Sequence, residues 1–134
     1  MTVYLDTNIV IYVVEQSLGL GSAALAAVHR YYREGHAVAV SDLVRMECMV
    51  GPLMNGDGDA LRAYRALFGC EAVSVLSCPS RVFDRAAVIR ADHGLRPVDA
   101  LHLATAIEGG CERFLTNDVR LTCVSDIEVE LLEP

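Results

Sequence analysis

The chain has no lysine: its eleven basic residues are all arginine, and against eighteen Asp and Glu they leave a net charge of −7. That balance argues against a passive nucleic-acid binder working through a broadly basic surface. The missing lysine also excludes a phosphoacceptor receiver domain, which depends on one. Guanidinium suits bidentate phosphate contacts, but an absence this complete reflects genomic base composition more than function. Long apolar runs are missing too. The longest, Ile9 to Val14, stops at Glu15, far short of the roughly 20 residues of a membrane span. Asp6 interrupts the first apolar stretch and no basic segment precedes it, so the secretory-signal pattern is not met and a cytoplasmic protein is expected. No CxxC pair occurs. The cysteines, Cys48, Cys70, Cys78, Cys111 and Cys123, are odd in number and scattered, which predicts buried thiols and neither disulfides nor zinc ligands. The histidines, His29, His36, His93 and His102, lack zinc-motif spacing. A GxxxxGK[ST] loop is absent, and Asn8 stands where a haloacid-dehalogenase-type phosphotransferase would need its second aspartate.

What is present is one domain's worth of core: 134 residues, 53% of them hydrophobic and 22% charged. Thr2 to Leu5 is β-prone and runs through a polar turn, Asp6-Thr7-Asn8, into a helix to Glu15 capped by Thr7 or Asn8. Ser22 to Glu34 reads as a helix ending at Gly35, and Ala37 to Val40 as a strand. Ser41 caps a helix to about Val50, where Gly51-Pro52 breaks it. After a loop at Asn55 to Gly58 come a helix, Asp59 to Phe68, a strand, Ala72 to Leu76, and a helix from Pro79 to His93. Pro97 opens a helix to Glu108. Strands follow at Arg113 to Thr116 and Leu121 to Val124, with Ile127 to Leu132 as an edge strand. Strands alternating with helices predict an α/β fold of three layers, α/β/α, around a mainly parallel sheet of four to five strands.

Four acids stand out against this pattern. In an open parallel sheet functional residues gather beyond the carboxyl ends of the strands; Asp6 follows the first strand and Asp118 the Phe114 to Thr116 strand. Asp99 lies in the first turn after Pro97, where the helix dipole favours a carboxylate. Glu47 lies on the stripe formed by Leu43, Met46, Val50 and Leu53, which is expected to face the core and which a solvated glutamate would avoid. Taken singly, Asp6 and Asp99 read as caps or first-turn acids, Asp118 as a turn residue, and Glu47 as half of a buried salt bridge with Arg96 or Arg45. As a set they predict a carboxylate pocket. Unpaired buried charge is costly and like charges repel, and divalent cations resolve the conflict. Two Mg²⁺ would offset four of the seven net negative charges.

Four segments, Val3-Tyr-Leu-Asp-Thr-Asn-Ile9, Ser41-Asp-Leu-Val-Arg-Met-Glu47, Pro97-Val-Asp-Ala-Leu-His-Leu-Ala104 and Phe114-Leu-Thr-Asn-Asp118, resemble in this order the motifs of PIN-domain nucleases, and among them the VapC toxins of bacterial toxin–antitoxin pairs. The resemblance covers nearly the whole chain and implies a single PIN domain over residues 1–134. It implies that Asp6, Glu47, Asp99 and Asp118 are the catalytic and metal-binding acids, with Thr7, Asn8, Thr116 and Asn117 as polar neighbours around the metal.

The implied activity is a metal-dependent endoribonuclease holding one or two Mg²⁺ or Mn²⁺ ions, since hard oxygen donors select these over zinc. Two ions about 3.5–4 Å apart would activate water and stabilise the leaving 3′ oxygen. Asp6 and Asp99 would be central ligands, Glu47 a ligand or an orienter of the water, and Asp118 a ligand of the second metal. His102, three residues after Asp99 on the same helix, is expected to face the core, the alternative being contact with a phosphate or a hydrogen bond to an acid. Implied partners are RNA, a VapB-like antitoxin and a second copy in a homodimer, with no membrane. Tyr12, Tyr31, Tyr32, Met46, Met49 and Met54 supply adaptable apolar surface, some of which could receive an antitoxin helix. The alternatives are a catalytically silent PIN-like module binding RNA or protein, and a structure-specific DNA nuclease.

Overall fold

The computed structural model describes residues 1–16 and 19–134. Among these, five strands, β1 (Thr2–Leu5), β2 (Ala37–Ser41), β3 (Val73–Leu76), β4 (Arg113–Thr116) and β5 (Glu128–Leu131), form one sheet in the order β3-β2-β1-β4-β5, and every pairing is parallel. Six helices connect and cover them: α1 (Thr7–Glu15), α2 (Gly21–Arg33), α3 (Asp42–Asn55), α4 (Gly58–Phe68), α5 (Ser80–His93) and α6 (Pro97–Glu108). The predicted α/β layering and parallel sheet are what the chain adopts. None of the described helices is long and apolar enough to cross a membrane.

The sheet is short-stranded and buried through its centre: Val3, Tyr4, Val38, Ala39, Val40, Phe114 and Leu115 are almost fully inaccessible. Alternation along the strands divides them between two faces. Tyr4 and Phe114 are register partners whose rings stack at 5.1 Å, on the face where the Tyr4 hydroxyl meets α6. On that face α6 is buried nearly all round, through Ala100, His102, Leu103, Ala104, Thr105 and Ala106. Its alanines permit close approach. At its end Gly109 is required, since a Cβ there would lie 2.7 Å from Leu76 Cδ1 and 2.9 Å from the Thr105 carbonyl.

Several local expectations are revised. Leu121 to Val124 is no strand; Val119–Cys123 is a 3-10 helix, capped by Asp118 accepting from the Arg120 amide. Its tight winding turns the chain between β4 and β5 while burying Leu121. α1 starts at Thr7, and its cap is Asp6, neither Thr7 nor Asn8. α3 does not break at Gly51-Pro52 but runs to Asn55, ending at Gly56 with φ 68. Pro52 is buried and its carbonyl accepts from Asp57, so packing and the last-turn bonds outweigh the one lost amide.

The buried face of α3 is also different. Val44, Cys48 and Pro52 point inward, whereas Met46, Val50 and Leu53 are 53%, 47% and 60% exposed. Both sets have helical spacing, and only the neighbouring elements choose between them. The thiols divide likewise: Cys48 and Cys111 are buried, Cys78 is half-buried, and Cys70 and Cys123 are exposed. Of the adaptable apolar side chains, Tyr12 and Tyr31 belong to the core, while Tyr32, Met46 and Met54 are exposed.

Val44→Ala should therefore destabilise the chain by about 2 kcal/mol, and Leu53→Ala by less than about 0.5 kcal/mol. Urea denaturation midpoints of the two variants check the assignment. Equal losses would reject this face of α3.

Candidate functional site

Strand order reverses direction between β1 and β4: the chain leaves β1 toward β2 on one side and returns to β4 on the other. Such a switch point leaves a crevice beyond the strand ends, because the connections diverge from it. Asp6 and Asp118 follow the two strands that flank it.

Asp6 is only 8% exposed. Its amide donates to the Leu115 carbonyl at 3.0 Å, continuing the β1–β4 ladder by one residue, and its carbonyl accepts from Ile9 to start α1. The carboxylate Oδ1 accepts from the Thr7 amide at 2.8 Å and Oδ2 from the Thr116 hydroxyl at 2.7 Å. Burial nonetheless pushes the Asp6 carboxyl above its ordinary value, outweighing the opposite pull of His102 and of those two hydrogen bonds. An anion here wants a nearby positive charge.

The other three acids connect to Asp6 through shared partners. The Thr7 hydroxyl donates to Glu47 Oε1 at 2.7 Å, and Glu47 Oε1 lies 2.5 Å from His102 Nε2. That imidazole hydrogen bond, with help from Thr7, lowers the Glu47 carboxyl below its usual range. On the other side, Thr116 Oγ1 accepts from the Asp118 amide at 3.1 Å. Arg120 grips Asp118 with Nε and Nη2, at 3.0 and 2.5 Å, and holds its carboxyl low; the same guanidinium is 3.7 Å from Asp99. Arg96 Nε donates to Asp99 Oδ2 at 3.0 Å. A continuous path of contacts thus joins Glu47, Asp6, Asp118 and Asp99 along one rim of the sheet.

The polar neighbours take different places. Thr7 and Thr116 are buried between the acids, whereas Asn8 is exposed and donates to Asn117, which in turn donates to the Tyr12 hydroxyl. Glu47 has no salt bridge to Arg45 or Arg96; its partners are Thr7 and His102, and Arg96 pairs with Asp99. His102 faces the core as expected, at 2% exposure, yet it also bonds an acid. Sequence reasoning passed over Tyr4, Ser41 and Arg120. A tyrosine inside a buried strand needs a partner for its hydroxyl, and that was the available signal for Tyr4.

As they stand, no three His, Cys, Asp or Glu among the described residues are grouped to hold a metal ion. The donor chemistry fits one even so: the set is carboxylate and hydroxyl oxygen, the set a hard divalent cation prefers, and the Asp99–Asp118 side already carries a shared cation in Arg120. Binding a metal there requires Arg120 and Arg96 to give up or share their carboxylates.

The raised Asp6 carboxyl predicts a pH signature in the metal-free protein. The folded chain holds that proton more tightly than the unfolded one, so stability falls as pH rises from the ordinary value of 3.8 through the raised one. Glu47 and Asp118 act in the opposite sense: their contribution is present above the ordinary carboxylate range and is lost as pH falls through the lowered values. Asp6→Asn should therefore melt no lower than wild type at neutral pH in chelator, with any advantage shrinking toward pH ~4. A variant that melts well below wild type at neutral pH would show that the hydrogen bonds outweigh desolvation.

Similarity to known proteins is found in fold and in family. Comparison with curated proteins yields no match. Solved structures similar in fold include VapBC2 from Rickettsia felis bound to a promoter DNA fragment (TM-score 0.81, 14% identity, covering 99% of this chain and 100% of that one). They also include VapC20 of Mycobacterium tuberculosis, a sarcin–ricin loop cleaving toxin (TM-score 0.75, 18% identity, 95% and 98% covered). A toxin–antitoxin complex from Klebsiella pneumoniae is a third (TM-score 0.73, 21% identity, 94% and 98% covered). The family model of the PIN domain matches residues 3–126, which span all four acids and every element that carries them, and the chain belongs to the PIN-domain family.

Proposed function

We propose that the protein is a Mg²⁺- or Mn²⁺-dependent endoribonuclease, the VapC-type toxin of a toxin–antitoxin pair. The observation that carries this reading is the path of contacts that brings Asp6, Glu47, Asp99 and Asp118 to one rim at the β1–β4 switch point, through Thr7, Thr116 and Arg120. Similarity in fold to the solved structures of VapBC2 from Rickettsia felis and of the toxin VapC20 supports it.

In this reading Asp6, Asp99, Glu47 and Asp118 hold one or two ions. When bound, these supply an activated water and charge stabilisation at the leaving oxygen. The chain's own residues set up the site around them. Thr7 and Thr116 fix the rotamer of Asp6 from both oxygens, and α1, starting at Thr7, directs its amide dipoles toward the same rim. Arg96 and Arg120, relieved of Asp99 and Asp118, become available to the phosphates of the substrate, a role the guanidinium fork suits. Asn8 and Asn117, bonded to each other at 3.1 Å, form the outer edge of the crevice.

The partners proposed are RNA, a VapB-like antitoxin and a second copy of the chain, and the compartment is the cytoplasm. Met46, Val50, Leu53 and Met54 on α3, all solvent-exposed, offer an apolar surface for the antitoxin.

The test is cleavage of RNA in Mg²⁺ or Mn²⁺ with acid variants as controls. Asp6→Asn, Glu47→Gln and Asp99→Asn should each fold and fall to about 1% of wild-type rate or less, the scale of losing a transition-state stabiliser. Full activity in Asp6→Asn would remove the assignment; cleavage of DNA alone would favour the DNA nuclease, and no cleavage the silent module. Mn²⁺ at about a hundredfold excess over its Kd should stabilise wild type by about 2.7 kcal/mol, and Asp99→Asn should lose most of that increase in Tm. Gel filtration with the product of the adjacent gene should show a complex, and its absence would refute the antitoxin proposal.

A further inference from the structure

Glu47 is set apart from the other acids by what holds it. It stands on α3 with its side chain 34% exposed, a position where a glutamate ordinarily samples several rotamers. Here Oε1 takes two hydrogen bonds, from Thr7 Oγ1 at 2.7 Å and His102 Nε2 at 2.5 Å. Among the described residues no hydrogen bond reaches Oε2. One oxygen is anchored to the protein and the other is left open at the rim.

The anchor is built from the core outward. Ser41 Oγ accepts from the Val44 amide as the cap of α3 and lies 2.7 Å from the Tyr4 hydroxyl. The Tyr4 hydroxyl lies 2.7 Å from His102 Nδ1. The direction of the outermost link is fixed by the end that cannot be reversed. An ionised carboxylate only accepts, so His102 must present N–H at Nε2 to lie 2.5 Å from Glu47. With the neutral ring Nδ1 accepts from Tyr4 O–H and Ser41 O–H donates to the Tyr4 oxygen; with the imidazolium Nδ1–H donates to the Tyr4 oxygen and Tyr4 O–H donates to Ser41 Oγ, and Nε2–H faces Glu47 in both. Each group has a consistent donor and acceptor, with the Tyr4 ring locked against Phe114 and His102 on a helix buried nearly all round.

We propose that His102 is a positioning residue for Glu47, held in one ring orientation by the Ser41–Tyr4 hydroxyl pair, so that Oε2 is presented to the metal. The inference rests on the nuclease reading above. Hydrogen-bonded supports of this kind typically change metal affinity about 10–100-fold when removed. His102 connects α6, which carries Asp99 three residues earlier, to α3, which carries Glu47. Two of the four acids are thereby referred to one side chain.

The experiment measures Mn²⁺ affinity by calorimetry on the full chain. His102→Ala should weaken binding about 10–100-fold. His102→Gln, whose amide nitrogen reaches where Nε2 was, should restore most of it, and Tyr4→Phe, which keeps the ring on Phe114, should show a smaller loss in the same direction. Unchanged affinity in His102→Ala overturns the proposal. A loss in His102→Ala with neither rescue by Gln nor any effect of Tyr4→Phe assigns His102 to packing and overturns it too. If His102→Ala does not fold, His102→Gln and Tyr4→Phe decide: Tyr4→Phe at wild-type affinity overturns the proposal. In metal-free protein, ring-nitrogen NMR should find the His102 proton on Nε2, and a bare Nε2 overturns the chain of donors. Wild type that binds no Mn²⁺ overturns the nuclease reading and this inference together; wild type that binds while the variants bind equally well overturns this inference alone.

Discussion

The whole rim is organised around one buried carboxylate. Asp6 extends the β1–β4 ladder, caps α1 and holds Thr7 and Thr116 in place, and it does so from a position that withholds water from its charge. Two hydrogen bonds and the nearby imidazole offset part of the desolvation and leave the carboxyl raised. A fold optimised only for stability would place a neutral cap such as Ser or Asn there. Retaining an aspartate at that point is intelligible when a cation completes it.

Around this centre the acids divide by how each is balanced. Asp118 and Asp99 are met by guanidinium groups at the open edge, where Arg120 and Arg96 can swing without disturbing the core. Glu47 is met from within, by a buried imidazole and a hydroxyl that have no freedom to leave. The outer pair therefore exchanges partners easily, while the inner pair is pre-set. The guanidinium side of each pair is the solvent-exposed side, so these pairs can be rearranged without opening the core.

The elements most legible in the sequence were those with strong punctuation. β1 running into a polar turn, α5 ending at Gly94, and α6 opening at Pro97 lie where their apolar runs and breakers put them. Structure departs from local expectation where the local signals are ambiguous. Gly51-Pro52 carried the usual signature of a helix end, yet Pro52 found a buried site and α3 continued. Two apolar stripes on α3 have equal helical spacing, and only packing makes Val44, Cys48 and Pro52 the buried one. Leu121 to Val124 had the composition of a strand, but the Asp118 cap wound it into a 3-10 helix instead.

The sequence by itself determined the alternation of strands and helices, and with it a parallel sheet and the placement of Asp6 and Asp118 at strand ends, because apolar periodicity and turn residues act over a few neighbours. Tertiary structure alone decided that β1 and β4 lie side by side, that Arg120 spans Asp118 and Asp99, and that a hydroxyl of β1 aims His102 at Glu47. Those pairings join residues tens of positions apart. They depend on strand order and on which face of a helix turns inward, and both are set by how all the apolar surfaces bury together.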